Sequence, residues 1–183
     1  MEAMRHAVAI ALMGLWACGG DGGEAGSGGG SGGGSGGGEA HELYVRAQVT
    51  VNQDAPFAFD EICSVHSSTI EGKVLWGLDA KDTDRPFGIG FSWNQDYVTG
   101  PGTFQANEGS GDFMVWFVRA HPTDPSKVRL SGVGQGSVTF EELAYAPGSS
   151  IAGTFDGLVM ERDDEEEKIR ITADDGSFRC RVP

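Results

Sequence analysis

The stretch that decides the fold runs from residue 43 to residue 52: Leu43-Tyr44-Val45-Arg46-Ala47-Gln48-Val49-Thr50-Val51-Asn52. Leu43, Val45, Ala47, Val49 and Val51 share one parity, and Tyr44, Arg46, Gln48, Thr50 and Asn52 share the other. Successive side chains of a strand point to opposite faces, so this alternation predicts a half-buried strand. Outward from it the same period returns. Phe57, Phe59, Cys63 and Val65 share a parity that Glu61 interrupts, and Val74 to Leu78 forms a short apolar run. Phe87, Ile89, Phe91 and Trp93 alternate with Gly88, Gly90 and Ser92, which leaves the second face nearly bare. Phe113 to Val118 (FMVWFV) is apolar at both parities and predicts a central strand covered on both sides.

Further strands are expected at Val128 to Leu130, Val138 to Leu143, Ile151 to Met160, Lys168 to Thr172 and Phe178 to Val182. Breakers separate them at Gly100-Pro101-Gly102, Pro122 to Pro125 and Pro147-Gly148. Asp175-Gly176, between two alternating runs, reads as the turn of a hairpin, because both residues tolerate positive φ. Gly132, Gly134 and Gly136 lack the lysine and the helix of a phosphate loop and read as a turn and a bulge. No segment sustains a helical period. The window Phe140 to Ala146 could make one helical turn, but its β-branched neighbours favour strand. The pattern predicts an all-β chain, an antiparallel β-sandwich of about nine strands, with a lipocalin-like closed barrel as the alternative.

Composition divides the chain. Of 30 glycines in 183 residues, 14 lie between Gly19 and Gly38. No Gly-x-y period runs through the sequence, which excludes collagen, and a hydrophobic fraction of 39% argues against global disorder. Ahead of the glycine tract, Arg5 and His6 precede the apolar run Ala7 to Ala17, with Met4 a candidate start. A bilayer span needs about 20 apolar residues. The shorter run matches a secretory signal peptide over 1–17.

The run ends in Leu15-Trp16-Ala17-Cys18-Gly19. This resembles the lipobox of bacterial lipoproteins, with leucine three before the cysteine and a small residue just before it. Trp16 departs from the usual small or aliphatic residue. The resemblance implies diacylglyceryl transfer to Cys18, cleavage after Ala17 and acylation of the new amino terminus. It also implies a membrane partner reached through the lipid. Gly19 in place of aspartate favours the outer membrane over the inner within the cell envelope. Two or more acyl chains anchor stably where one is marginal, at about 0.8 kcal/mol per buried methylene. Residues 18–38 then form a lipidated cysteine and a Gly/Ser-rich tether. Such a coil reaches about 5–6 Å × √n, on the order of 25 Å for this tract. The β domain is expected over 39–183.

Within that domain four segments occur in order: Thr99-Gly100-Pro101-Gly102-Thr103-Phe104, Gly136-Ser137-Val138-Thr139-Phe140, Ile151-Ala152-Gly153-Thr154-Phe155-Asp156-Gly157 and Asp175-Gly176-Ser177-Phe178. They resemble the glycine-punctuated pattern of poorly characterised bacterial β-sandwich lipoproteins. The resemblance implies an all-β surface domain and carries no catalytic residues.

With Cys18 lipidated, Cys63 and Cys180 remain as an even pair. Each shares parity with apolar neighbours, Cys63 with Val65 and Cys180 with Phe178 and Val182. In an oxidising compartment such a pair is expected to bridge. Two separate buried thiols are the alternative.

Chemistry is sparse. His66 lies beside Ser64, Ser67 and Ser68, but no Gly-x-Ser-x-Gly elbow occurs, and His41-Glu42 lacks the second histidine of a zinc protease motif. No catalytic residues, no cofactor and no metal ligands are expected. Asp79, Asp82 and Asp84 crowd one segment and Glu161 to Glu167 another. Neither has the spacing of an EF-hand, and both read first as solvated loops. Trp93 and Tyr97 flank Asn94-Gln95-Asp96. Trp93, Asn94, Asp96 and Tyr97 are therefore the candidate ligand-binding group, offering ring faces and hydrogen bonds to a glycan. The competing reading places the rings in the core. Without Glu2, Asp21, Glu24 and Arg5, the domain keeps 24 acids against 12 bases, so nucleic acid is not an expected partner. The sequence points to a non-enzymatic envelope lipoprotein whose domain is structural, adhesive or ligand-binding, with a glycan or an envelope protein as possible partner. A lipocalin-like carrier of an apolar ligand and a carbohydrate-binding module are the alternatives.

Overall fold

The computed structural model describes residues 42–82, 87–106, 112–121, 124–163 and 168–183. The segments expected to be a signal peptide and a tether, Cys18 and His41 lie outside the described residues, as do Asp84 and residues 164–167. Among the described residues ten strands follow one another: β1 (Tyr44–Val51), β2 (Phe57–Glu61), β3 (Cys63–Ile70), β4 (Lys73–Asp82), β5 (Phe87–Asn94), β6 (Gly102–Ala106), β7 (Phe113–His121), β8 (Asp124–Leu143), β9 (Ser150–Asp163) and β10 (Lys168–Arg181). All pairings are antiparallel, in the order β2-β1-β10-β9-β8-β7-β5-β4-β3, with β6 beside β8.

The sheet curls into a half-barrel along β8. The first part of β8, up to Gly134, pairs with β7. From Gln135 onward it pairs with β9, and from Gly136 to Phe140 also with β6. The register with β9 slips between Gln135 and Ser137, around Gly136 at φ 136°. The three glycines expected to include a turn instead lie inside one long strand. A bulge there sharpens the local twist and lets one strand serve both halves.

The hairpin expected at Asp175-Gly176 is also a bulge within a continuous strand. Asp175 sits at φ 51°, and the register of β10 against β1 shifts there. The inward residues before it are Ile169, Ile171 and Ala173, and after it Phe178, Cys180 and Val182. The extra residue resets the parity, so both apolar sets reach the core. Strand β9 does the same at Gly157, φ 61°, passing from Ile151 and Phe155 to Leu158 and Met160. A parity break flanked by turn residues reads as a hairpin in one dimension, and cross-strand pairing resolves it.

The core lies inside the curl. Val45, Val49, Ile89, Phe91, Val115, Phe117 and Ile171 are all fully buried. Rings from facing halves meet: Phe91 of β5 lies 5.4 Å from Phe155 of β9 and 5.3 Å from Phe178 of β10. Phe87 of β5 lies 5.8 Å from Phe57 and 5.7 Å from Phe59 of β2. Such aromatic pairs add about 0.5–1.5 kcal/mol each beyond area burial.

The two ends of the strand order, β2 and β3, are joined in sequence through the single exposed residue Ile62. At the same end Cys63 of β3 is disulfide-bonded to Cys180 of β10, their Cα atoms 5.9 Å apart. The chain thus passes from one half of the curl to the other, and a covalent bridge ties the crossing in place.

Gly153 marks a close approach. A Cβ there would collide with the Thr139 carbonyl of β8 and crowd the Phe178 ring. Backbone cannot move aside as a side-chain tip can. Gly153→Ala is therefore expected to cost about 1–3 kcal/mol, read as a lower urea midpoint with an unchanged slope.

Candidate functional site

Residues 93 to 97 leave the end of β5 and turn. Trp93 shares the inward parity of Phe87, Ile89 and Phe91, and is 1% exposed. Its ring packs 5.2 Å from Phe140, and its Nε1 donates to the Tyr145 hydroxyl at 3.0 Å. That hydroxyl in turn donates to the Val98 carbonyl. Burial pushes the Tyr145 pKa up, against the opposing effect of the Trp93 bond, so the phenol stays a neutral donor at physiological pH. The Trp76 ring lies tilted against Tyr145, centroids 4.9 Å apart, and its Nε1 donates to Gln95 Oε1 at 2.9 Å.

Asn94 is buried and shapes the turn. Its Oδ1 accepts from the Asp96 amide, and its carbonyl accepts from the amides of Tyr97 and Val98. Asp96 is exposed and Tyr97 is 47% exposed, its ring resting 5.9 Å from Phe104. The four candidate ligand residues thus separate. Trp93 and Asn94 build the fold, while Tyr97 and Asp96 remain at the surface. Strand parity, which carries Trp93 inward, is the reason no indole face is presented there.

The acidic segment also separates. Asp79 and Asp82 lie in β4, three residues apart, and therefore on opposite faces. Asp79 faces outward and Asp82 is buried inward. Among the described residues no group of three acids, histidines or cysteines could hold a metal ion.

A different constellation forms on the outer face of β3, β4, β5 and β7. Two cross-strand rows run over it. One row is Ser64, Asp79, Gly90 and Trp116; the next is His66, Gly77, Ser92 and Met114. Ser64 Oγ donates to Asp79 Oδ1 at 3.0 Å, and His66 Nδ1 lies 3.3 Å from the same oxygen. The carboxylate therefore faces the Nδ1 proton, which leaves Nε2 of neutral His66 as an acceptor.

The glycines explain the height of the rings. A Cβ on Gly77 would strike Nε2, Cε1 and Cδ2 of His66. A Cβ on Gly90 would strike Cζ2, Cε2 and Cη2 of Trp116. Both rings lie down over bare backbone, one from each side. Ser92 completes the floor. It is 3% exposed, and its Oγ has no hydrogen-bond partner. Ser68, whose Oγ is likewise buried without a partner, is on the same face one step along β3. Buried hydroxyls almost always find partners, so such groups mark an unmet demand.

These residues do not form a nucleophile pair, because Ser64 is bonded to Asp79 and not to His66. The bare face of β5 was visible in the alternation of Gly88, Gly90 and Ser92. What covers it was not, because Trp116 and His66 arrive from strands whose pairing no local pattern specifies. Comparisons with protein-family models, with curated proteins and with solved structures find no match to this chain.

Proposed function

We propose that this protein is a cell-envelope lipoprotein, acylated at Cys18, whose β domain acts without catalysis in a structural, adhesive or ligand-binding role. The observation that carries this reading is the Cys63–Cys180 bond joining the two halves of the curled sheet. Disulfides of this kind persist in oxidising compartments and are rare in the cytosol. A signal-like segment ending at a lipobox-like cysteine delivers a chain to such a compartment, and the glycine tract after it would hold the domain off the lipid surface. Within the envelope, the outer membrane is the proposed destination.

We read the domain as a two-layer sandwich sharing β8. The phenylalanine rings between the halves favour this over a hollow carrier, since they occupy the space that an apolar ligand would need. The cluster on Asp79 spends the Ser64 hydroxyl on the carboxylate, which supports the non-enzymatic reading.

Cys18→Ala tests the anchor. In cells of the native type fed labelled palmitate, the variant should incorporate no label. Labelling of the variant at the wild-type level would refute acylation at Cys18.

A further inference from the structure

We propose that the free edge of β3 pairs with β3 of a second copy of this chain, antiparallel about Ser67, so that two domains share one continuous sheet. The inference goes beyond the proposed function and does not rest on acylation at Cys18.

The hairpin between β3 and β4 shows which backbone groups are free. Strand β3 closes one end of the strand order and pairs with β4 alone among the described residues. The turn between them is Glu71-Gly72, with φ 52° and 80°. Positive φ at both positions makes a two-residue type I′ turn, closed by Ile70 and Lys73 as a hydrogen-bonded pair. From there the register runs without a shift to Cys63. Hydrogen-bonded pairs alternate along an antiparallel ladder. His66, Ser68 and Ile70 therefore turn their backbone groups to β4, and Val65, Ser67 and Thr69 turn theirs outward. Burial shows that a strand can reach them. Cys63, Val65, Ser67 and Thr69 share a face, and the first two are buried while Ser67 and Thr69 are exposed. Beyond Val65 the strand runs clear of the core.

A free edge is ordinarily protected by brevity, charge, proline or a bulge. The other end of the order has such protection: β2 is five residues long, follows Pro56 and carries Asp60 and Glu61. Strand β3 has none of it. It runs eight residues, CSVHSSTI, without a proline, a glycine, a carboxylate, a lysine, an arginine or a bulge.

Charge and symmetry choose the occupant. The chain carries a formal net charge of −14, which repels an acidic strand, and a basic strand would meet no carboxylate along β3. A neutral strand fits, and β3 is itself neutral. Repulsion between the two acidic copies acts away from this seam and is screened over about 8 Å at physiological ionic strength. A two-fold axis normal to the sheet at Ser67 sets Ser67 opposite its counterpart and Val65 opposite Thr69 of the second copy. These are the outward-facing residues, so the three pairs exchange about six backbone hydrogen bonds. An axis at Val65 or Thr69 would spend a pair on the Ile62 corner or on the Glu71 turn. One eight-residue seam falls short of the roughly 1,200–2,000 Å² of a stable interface. The pair is therefore weak and reversible, and its test traps it covalently.

The full-length protein is purified in detergent as two single variants, oxidised with copper phenanthroline in air and run on non-reducing gels. Ser67→Cys sets two thiols in a hydrogen-bonded pair with Cα atoms about 5.5 Å apart, within disulfide range. Thr69→Cys, also exposed on this edge, sets them four residues out of step, about 13 Å apart and beyond reach. Ser67→Cys should form a dimer about tenfold or more faster than Thr69→Cys. Adding Thr69→Pro to Ser67→Cys removes the Thr69 N–H from both sides of the seam and should slow the dimer by about fivefold or more. Both cysteines replace exposed side chains, so the first comparison stands whatever the proline does to the fold. Equal rates for the two cysteine variants, or no Ser67→Cys dimer, would overturn the proposal. So would a folded proline variant that cross-links as fast as its parent. In native membranes, a Ser67→Cys conjugate with a different protein in place of the dimer would give the edge to a foreign strand and overturn self-pairing.

Discussion

Replacing Cys63 and Cys180 together by alanine should lower the thermal midpoint of the domain by about 15 °C. The bond closes a loop with a sequence separation of 117, for which chain-entropy bookkeeping gives about 4–5 kcal/mol. A domain of this size loses roughly 3–4 °C per kcal/mol. Position in the fold adds to the entropy. β3 ends the strand order and hydrogen-bonds along its length to β4 alone, while β10 lies in the opposite half between β1 and β9. Without the bridge, β3 is held to that half by packing and by the Ile62 corner. Circular dichroism melts of the oxidised protein and the double variant measure the difference. A shift of only a few degrees would mean that the bridge decorates a fold already closed by its core.

Phe140→Ala is expected to cost about 3–5 kcal/mol, the range for deleting a buried phenylalanine, or roughly 10–20 °C in midpoint. Phe140 is 1% exposed on the part of β8 that belongs to the second half of the curl. Its ring meets Trp93 of β5 at 5.2 Å, Phe104 of β6 at 5.9 Å, Phe113 of β7 at 6.0 Å and Phe178 of β10 at 5.5 Å. No single neighbour can fill the void, because each ring is held in its own strand. Phe140→Leu should lose much less, since it keeps most of the buried volume. Urea unfolding of both variants checks the order, and equal losses would show that retained volume does not compensate for the lost ring contacts.

Much of the fold was legible because period-two burial is a local signal. The inward set Val45, Ala47, Val49 and Val51 is buried as its alternation predicts, and so is Phe87, Ile89, Phe91 and Trp93. The pairing of Cys63 with Cys180 followed from the same inward parity. Three features escaped. Asp175-Gly176 and Gly132 to Gly136 carry turn residues that here serve as bulges within β10 and β8, and a bulge shares its chemistry with a turn. The curl itself depends on β8 changing partners midway, which is a property of pairing and not of any segment. The Trp93 group illustrates the third. Its residues are contiguous in sequence, but parity sends the indole inward. The cluster of His66, Asp79, Ser92 and Trp116 on the outer face draws instead on four strands and 51 positions of sequence.

The glycines also divide by physical role. Gly90 and Gly77 make room for rings, and Gly153 makes room for a neighbouring backbone. The role proposed for the glycines at 19–38 is the opposite one, chain entropy in a tether.

One measurement reaches the central reading most directly: the intact mass of the protein purified from native membranes without reductant. The account predicts a chain beginning at Cys18, heavier than its sequence by a diacylglyceryl group and an amide-linked acyl chain, and lighter by the two hydrogens of the Cys63–Cys180 bond. A chain that retains residues 1–17, or that carries no added lipid and two free thiols, would contradict it.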